Sequence, residues 1–244
     1  MKIVHIADVH WRGLSRHEEY KNCFENMFAQ CREINPDAIV IAGDIVHSKT
    51  QGRSPEVIDS LAWWFTEMHK ICPVHVMLGN HDGLILNADR QDAISPIVNM
   101  LNLPRLYLYK GTGVYPDPHM LDIEWCVYCP FDTKGYDSLK PTGKRPISIA
   151  LYHGSVWGSH TDGDFMLEGE TKMDRFREFL LLCLVTYIRD NKWMQKGGFI
   201  IVVQQFNKIM ASPERKAFWF GILTGMMIGL WISFPWSITT LLSP

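Results

Sequence analysis

Lys2-Ile3-Val4-His5-Ile6-Ala7-Asp8-Val9-His10 opens the chain, and its reading decides the fold. An apolar run ends in an acid and an imidazole two residues apart. The pattern recurs three times. Ala38-Ile39-Val40-Ile41-Ala42 runs into Gly43-Asp44, Pro73-Val74-His75-Val76-Met77-Leu78 into Gly79-Asn80-His81-Asp82, and Pro146-Ile147-Ser148-Ile149-Ala150-Leu151-Tyr152 into His153-Gly154. Short apolar runs bounded by turn residues read as strands buried on both faces. Between the first three lie helical stretches. One covers 18–33, with Tyr20, Phe24, Met27, Phe28 and Cys31 at spacings of three and four. The other covers 55–70, with Pro55 in its first turn. Strands alternating with helices predict an α/β fold with a largely parallel sheet wrapped by helices. Ligands of such sheets collect beyond the carboxyl ends of the strands. Pro and Gly break 104–145 into short strands and turns.

Those strand ends define one candidate site. A pair of divalent ions needs hard oxygen ligands, imidazoles and one carboxylate able to serve both ions. Asp8 and His10 can turn toward one ion, and Asn80 and His153 toward a second. Asp44 is the natural bridge. Each fragment alone is common; the ordered set, each member after a strand, is not.

Asp8-Val9-His10, Gly43-Asp44, Gly79-Asn80-His81-Asp82 and Tyr152-His153-Gly154 resemble the first four motifs of the calcineurin-like metallophosphoesterases. That resemblance implies a sheet sandwich flanked by helices. Lys2 to His10, and Gly43-Asp44-Ile45-Val46-His47, are similar to the SbcD-type DNA repair nuclease subunits and their phage recombination versions. The finer likeness implies two divalent ions, Mn²⁺ by type, phosphodiester cleavage in DNA, and an SbcC-type ATPase partner. It also implies that His81 protonates the leaving oxygen or steadies charge on phosphorus, that Asp82 orients His81, and that His47 faces substrate. His5, His69 and His75 read as structural, and His17 and His119 as surface residues. The resemblance covers about residues 1–170. It lacks the Gly-His-x-His motif that completes the family's metal site, and no histidine follows His160. His160 and Asp162 are the nearest substitutes. The domain at 1–170 therefore reads as C-terminally truncated, with weakened binding of the second metal.

Hydrophobic content of 47% and charged content of 20% exclude a disordered chain. The net charge of −2 hides an asymmetry. Residues 1–170 hold fifteen Lys/Arg against twenty-two Asp/Glu and all ten histidines, while 171–244 hold nine against four. An acidic, His-rich part suits cations, and a basic part suits anionic lipid or nucleic acid. Residues 171–216 read as a basic, partly helical connector, with 176–188 helical and 198–203 strand or helix. Residues 217–242 carry no charge, outlast the roughly 30 Å hydrocarbon core as a helix, and place Trp219, Trp231 and Trp236 near the ends. They read as a transmembrane helix. Arg215 and Lys216 just before it put the catalytic domain in the cytoplasm. Gly221, Gly225 and Gly229 on one face would allow a homodimer. The scattered cysteines read as free thiols of a reducing compartment, and Cys126 with Cys129 makes a poor zinc site. The first strand leaves no room for a signal peptide.

Three functions compete. The first is a DNA exo- or endonuclease of SbcD type in repair or recombination. The second is a phosphatase for nucleotides or small phosphoesters. The third is a membrane-tethered remnant with impaired metal binding and no catalysis.

Overall fold

A computed structural model describes residues 1–13, 16–50, 54–157, 166, 168, 171–176, 178–179, 181–184 and 199–202. Strands β1 (Ile3–Ile6), β2 (Ala38–Ala42), β3 (Val74–Met77) and β4 (Leu106–Tyr109) form a parallel sheet in that order. A second sheet follows the order β5 (Gly113–Pro116), β6 (Ile123–Tyr128), β7 (Ile147–Tyr152), β8 (Leu181–Leu184) and β9 (Phe199–Val202). Only its β5–β6 pair is antiparallel.

Helices α1 (His17–Ile34), α2 (Pro55–Ile71) and α3 (Ser95–Leu101) bury their apolar faces against the first sheet. The stripe expected on α1, Tyr20 to Cys31, is the buried one. Asn35 ends α1 in a left-handed conformation, returning its N–H to the Cys31 carbonyl. Ser54 caps α2 by accepting from the Val57 amide, one residue before Pro55. Trp11, Phe24, Phe28, Trp64 and Phe65 pack together there without exposure. Each large side chain so buried contributes about 2–3 kcal/mol.

The alternate residues of the first sheet, among them Ile3, Val40, Ala42 and Met77, face Trp125, Val127, Ile149 and Leu151 of the second. The molecule is thus a two-sheet sandwich, with every residue of β1, β2 and β3 buried. Tyr128, Tyr152, Phe176 and Phe179 cover the far face of the second sheet. Cys126 and Cys129 are buried free thiols, and the Cys129 thiol donates to the Lys110 carbonyl.

Beyond residue 170 the structure corrects the sequence reading. Where a helix over 176–188 is expected, Met173–Phe176 form a 3-10 turn and Leu181–Leu184 form β8, which pairs in parallel with β7, while 185–188 lie outside the described residues. An apolar run without a polar face suits a buried strand as well as a buried helix, and the open edge of β7 supplies the backbone partners. β9 extends the same sheet to Val202. His160, Asp162 and the expected span at 217–242 lie outside the described residues. Among the described residues no helix is long and apolar enough to cross a membrane.

Candidate metal centre

The loops after β1 and β2 stay paired beyond the strands. Asp8 donates its N–H to the Gly43 carbonyl at 3.2 Å, His10 to Asp44 at 2.9 Å and Trp11 to Ile45 at 2.8 Å, while His47 donates back to Trp11 at 2.9 Å. Within this ladder Asp8, His10 and Asp44 have φ near +50°. Such left-handed backbone costs a non-glycine residue on the order of 1 kcal/mol or more, and persists where packing enforces it. Here it turns three potential ligands into one space. Close approach also demands glycine. A Cβ on Gly79 would lie 2.3 Å from the Asp44 carboxylate, and one on Gly43 would lie 2.7 Å from His153 Nδ1.

Two groups of ligand atoms result, each lying within 4.8 Å. One comprises Asp8, Asp44 and His153, and the other His10, Asp44 and His81. Asp44 belongs to both. Its Oδ2 lies 3.3 Å from His153 Nε2, 3.5 Å from His10 Nε2 and 3.8 Å from His81 Nε2. Asn80 brings its Oδ1 to 2.9 Å from His153 Nε2. The sequence reading groups Asp8 with His10, and the structure keeps them close, with Asp8 Oδ1 3.8 Å from His10 Nε2. It also brings Asp8 to His153 and His81 to His10, the His81 amide donating to Asp44 Oδ1 at 2.8 Å.

The donor set fits divalent cations. Both nitrogens of His153 face oxygen acceptors, Nδ1 the Ala42 carbonyl at 2.8 Å and Nε2 the Asn80 amide oxygen and Asp44. A ring placed so must carry two protons. Burial pulls its pKa down, but the hydrogen bond and charge of Asp44, with Asp8 behind, raise it to about 9. The Nε2 proton thus stands where a cation would neutralise the same oxygens. Burial alone raises Asp44, yet the bond and charge of His153, the His81 amide and His10 hold it below the usual carboxylate range. Asp8 moves the other way, to about 7, through burial and the neighbouring Asp44 charge. Burial lowers His10 to about 4, leaving a neutral imidazole for coordination.

The profile of the calcineurin-like phosphoesterase family matches residues 1–204. The chain belongs to that family. An uncharacterised protein of Acanthamoeba polyphaga mimivirus, R555, is 34% identical over 217 residues, covering 82% of this phosphoesterase and 16% of that protein. The DNA double-strand break repair protein Mre11 of Archaeoglobus fulgidus is 30% identical over 139 residues, covering 46% of this chain and 30% of that one. The chain thus spans less than a third of either relative. Among solved structures, a nuclease MPE of Pseudomonas putida has 15% identity and a TM-score of 0.35, covering 68% of this chain and 67% of that one. A dimetal phosphatase of Danio rerio has 11% identity and a TM-score of 0.47, covering 84% and 87%.

All five expected ligands of the phosphoesterase, Asp8, His10, Asp44, Asn80 and His153, lie around Asp44. His47 joins them, its ring 5.9 Å from that of His10 and 6.2 Å from that of His81. The expectation for Asp82 is corrected. Its carboxylate does not hold the His81 ring. It accepts from the amides of Ile45 at 2.9 Å, Val46 at 3.0 Å and Gly79 at 2.8 Å, tying together the two loops that carry Asp44 and Asn80. The His81 ring is held instead by the His47 carbonyl, 2.6 Å from Nδ1. A carbonyl only accepts, so Nδ1 carries a proton and Nε2 faces Asp44. These backbone partners leave no signature in a sequence. Trp11 was also missed. It stacks on Tyr20 and Phe24 and anchors the Asp8–His10 turn to α1.

Proposed function

We propose that this chain is a metal-dependent phosphodiesterase acting on DNA, of the SbcD type. The observation that carries the reading is the sharing of Asp44 between two ligand groups, the arrangement a two-ion phosphoesterase needs. The named relative Mre11 supports DNA as substrate. Asp8, Asp44, Asn80 and His153 would hold one cation, and His10 with Asp44 the other. Two divalent ions held there would supply Lewis acidity for the phosphoryl group and for the attacking water. The protein's own part is positional. Asp82 fixes the two loops. His81, its Nδ1–H fixed by the His47 carbonyl, presents Nε2 to substrate, and in its doubly protonated form donates to the leaving oxygen. An SbcC-type ATPase would bring the basic surface that the acidic 1–170 part lacks.

That acidic balance favours a second reading, a phosphatase for nucleotides or small phosphoesters, since unaided DNA binding normally shows a basic footprint. One assay separates them. The purified chain is given Mn²⁺ with a single-stranded DNA end, a small aryl phosphodiester, or a nucleotide monophosphate. Slow cleavage of the DNA end that vanishes in Asp44→Asn supports the nuclease. Turnover of the monoester alone overturns it.

A further inference from the structure

Among the described residues, two cations beside the metal centre meet no counter-charge. Arg12 follows Trp11 on the first paired loop, and Lys49 follows His47 by two residues on the second. Trp11 pairs with Val46, and the His47 amide with the Trp11 carbonyl, so the two cations leave adjoining backbone beside His47, and the Arg12 charge acts on the His47 ring. Lys49 is only 7% exposed, and no hydrogen bond or ion pair engages it among the described residues. Arg12 is half-buried, its Nε is shut from solvent without a partner, and no carboxylate of the described residues meets its guanidinium. Elsewhere the contrast is plain. Arg16 is paired with Glu19, Arg32 with Glu67 and Lys110 with Asp92, while Lys21 and Lys144 are exposed and solvated. Two cations without counter-charges beside one another leave an unbalanced positive potential, which draws an anion.

We propose that Arg12 and Lys49, on adjoining backbone beside His47, form a second anion subsite. It takes the phosphate that adjoins the scissile one. The inference rests on the phosphodiesterase reading of the neighbouring centre and deepens it, because a substrate with one phosphate leaves the subsite empty. The His47 ring lies 5.9 Å from that of His10 and 6.2 Å from that of His81, so the backbone carrying both cations adjoins the centre. An arginine presents a planar fork to phosphate oxygens, and a lysine a point charge. Two sources could bring such a phosphate, a polynucleotide backbone or a nucleoside diphosphate.

The test is binding in chelator, so that no metal contributes. A fluorescent single-stranded oligonucleotide is titrated from about 50 to 200 mM salt. The protein is wild type, R12Q/K49Q, or K21Q/K144Q as a charge-matched surface control. For single strands each lost phosphate contact flattens the slope of log affinity against log salt by about 0.7, so R12Q/K49Q should flatten it by about 1.4. The control should keep the wild-type slope. R12Q alone, expected to lose about 0.7, decides the matter should the double variant not fold. Equal slopes for wild type and site variants overturn the subsite. If the oligonucleotide does not bind, a nucleoside diphosphate is tried by thermal shift. Stabilisation of wild type but not of R12Q/K49Q keeps the subsite and removes DNA as substrate. No discrimination with either ligand removes the subsite as well.

Discussion

This sandwich buries histidine against carboxylate in two places, and the two places behave oppositely. Between the sheets, His75 lies 3.2 Å from Asp117, with both side chains fully buried. Tyr109 sits 2.8 Å from His75 Nδ1, and Asp117 collects the Trp125 indole N–H at 2.8 Å with the amides of His119 and Met120. The Asp117 carboxylate and the Tyr109 hydroxyl are engaged there, only His75 Nε2 stays without a hydrogen bond, and burial lowers His75 to about 4 despite the Asp117 charge. Around Asp44 the acceptors are in excess, the backbone of three residues is left-handed, and His153 is raised to about 9. A closed network braces a fold, whereas an open one with strained backbone awaits a cation. Burial and residue type do not separate the two; the surplus of oxygen does.

The largest expected effect falls on the open network. Asp44→Ala removes the one group common to both ligand sets. Since losing even a supporting partner of a metal ligand costs about 10–100-fold, phosphoester hydrolysis should fall by more than about 100-fold. Metal content, read by atomic emission, should fall with it. Retained activity would show that the two ligand groups do not act together.

Asp117→Ala breaks this inner network instead. It strands the buried Trp125 indole and takes the acceptor from two partly buried backbone amides, at about 2 kcal/mol of stability in urea unfolding. Metal stoichiometry should not change. A loss of bound metal without loss of stability would reverse the roles assigned to the two clusters.

How much of this contrast was legible beforehand follows from the range of the interactions. The four strand ends with their Asp, His and Asn stood out because apolar runs and polar stops are local. The stripe of α1 did too. β8 did not, since the apolar run from Phe176 to Leu184 lacks the alternation that separates strand from helix, and its partner β7 lies some thirty residues back. The Asp82 carboxylate was assigned to the adjacent His81, yet its partners include the Ile45 and Val46 amides, and amides belong to every residue type. Left-handed φ at Asp8, His10 and Asp44 has no compositional mark either, because glycine is the usual sign of that conformation and only Gly43 carries it there.

Proton and metal compete for His153, and the sign is fixed by its raised pKa. In the metal-free protein the stabilisation from protonated His153 is complete below about 6.5 and fades as pH rises through about 9. Metal affinity should run the other way, climbing up to roughly tenfold per pH unit from about 7 to 9 as the proton leaves Nε2. Calorimetric titrations at three pH values measure both the affinity and the released proton. An affinity flat across that window would mean that His153 gives up no proton on binding. His75, far below this range, should contribute nothing to either curve.

The smallest predicted difference lies inside the open network, between its halves. The Asp8 side offers two carboxylates, the Asn80 amide oxygen and the His153 imidazole. The His10 side shares Asp44 and otherwise offers imidazoles, of which His81 is partly exposed and bound through Nδ1 to the His47 carbonyl. Mn²⁺ favours oxygen ligands and stands low in the divalent affinity order, so the first half should hold it more tightly, by about tenfold or more. His81→Ala should leave the tight site as it is while slowing turnover about 100-fold, the ordinary worth of a positioned acid. Calorimetry with Mn²⁺ should therefore resolve one tight and one weak event in this chain. In Asn80→Ala the tight event should weaken toward the other until the two merge. Two equally tight sites in the unaltered chain would show that a further ligand completes the His10 side, and the inequality drawn from the described residues would be overturned.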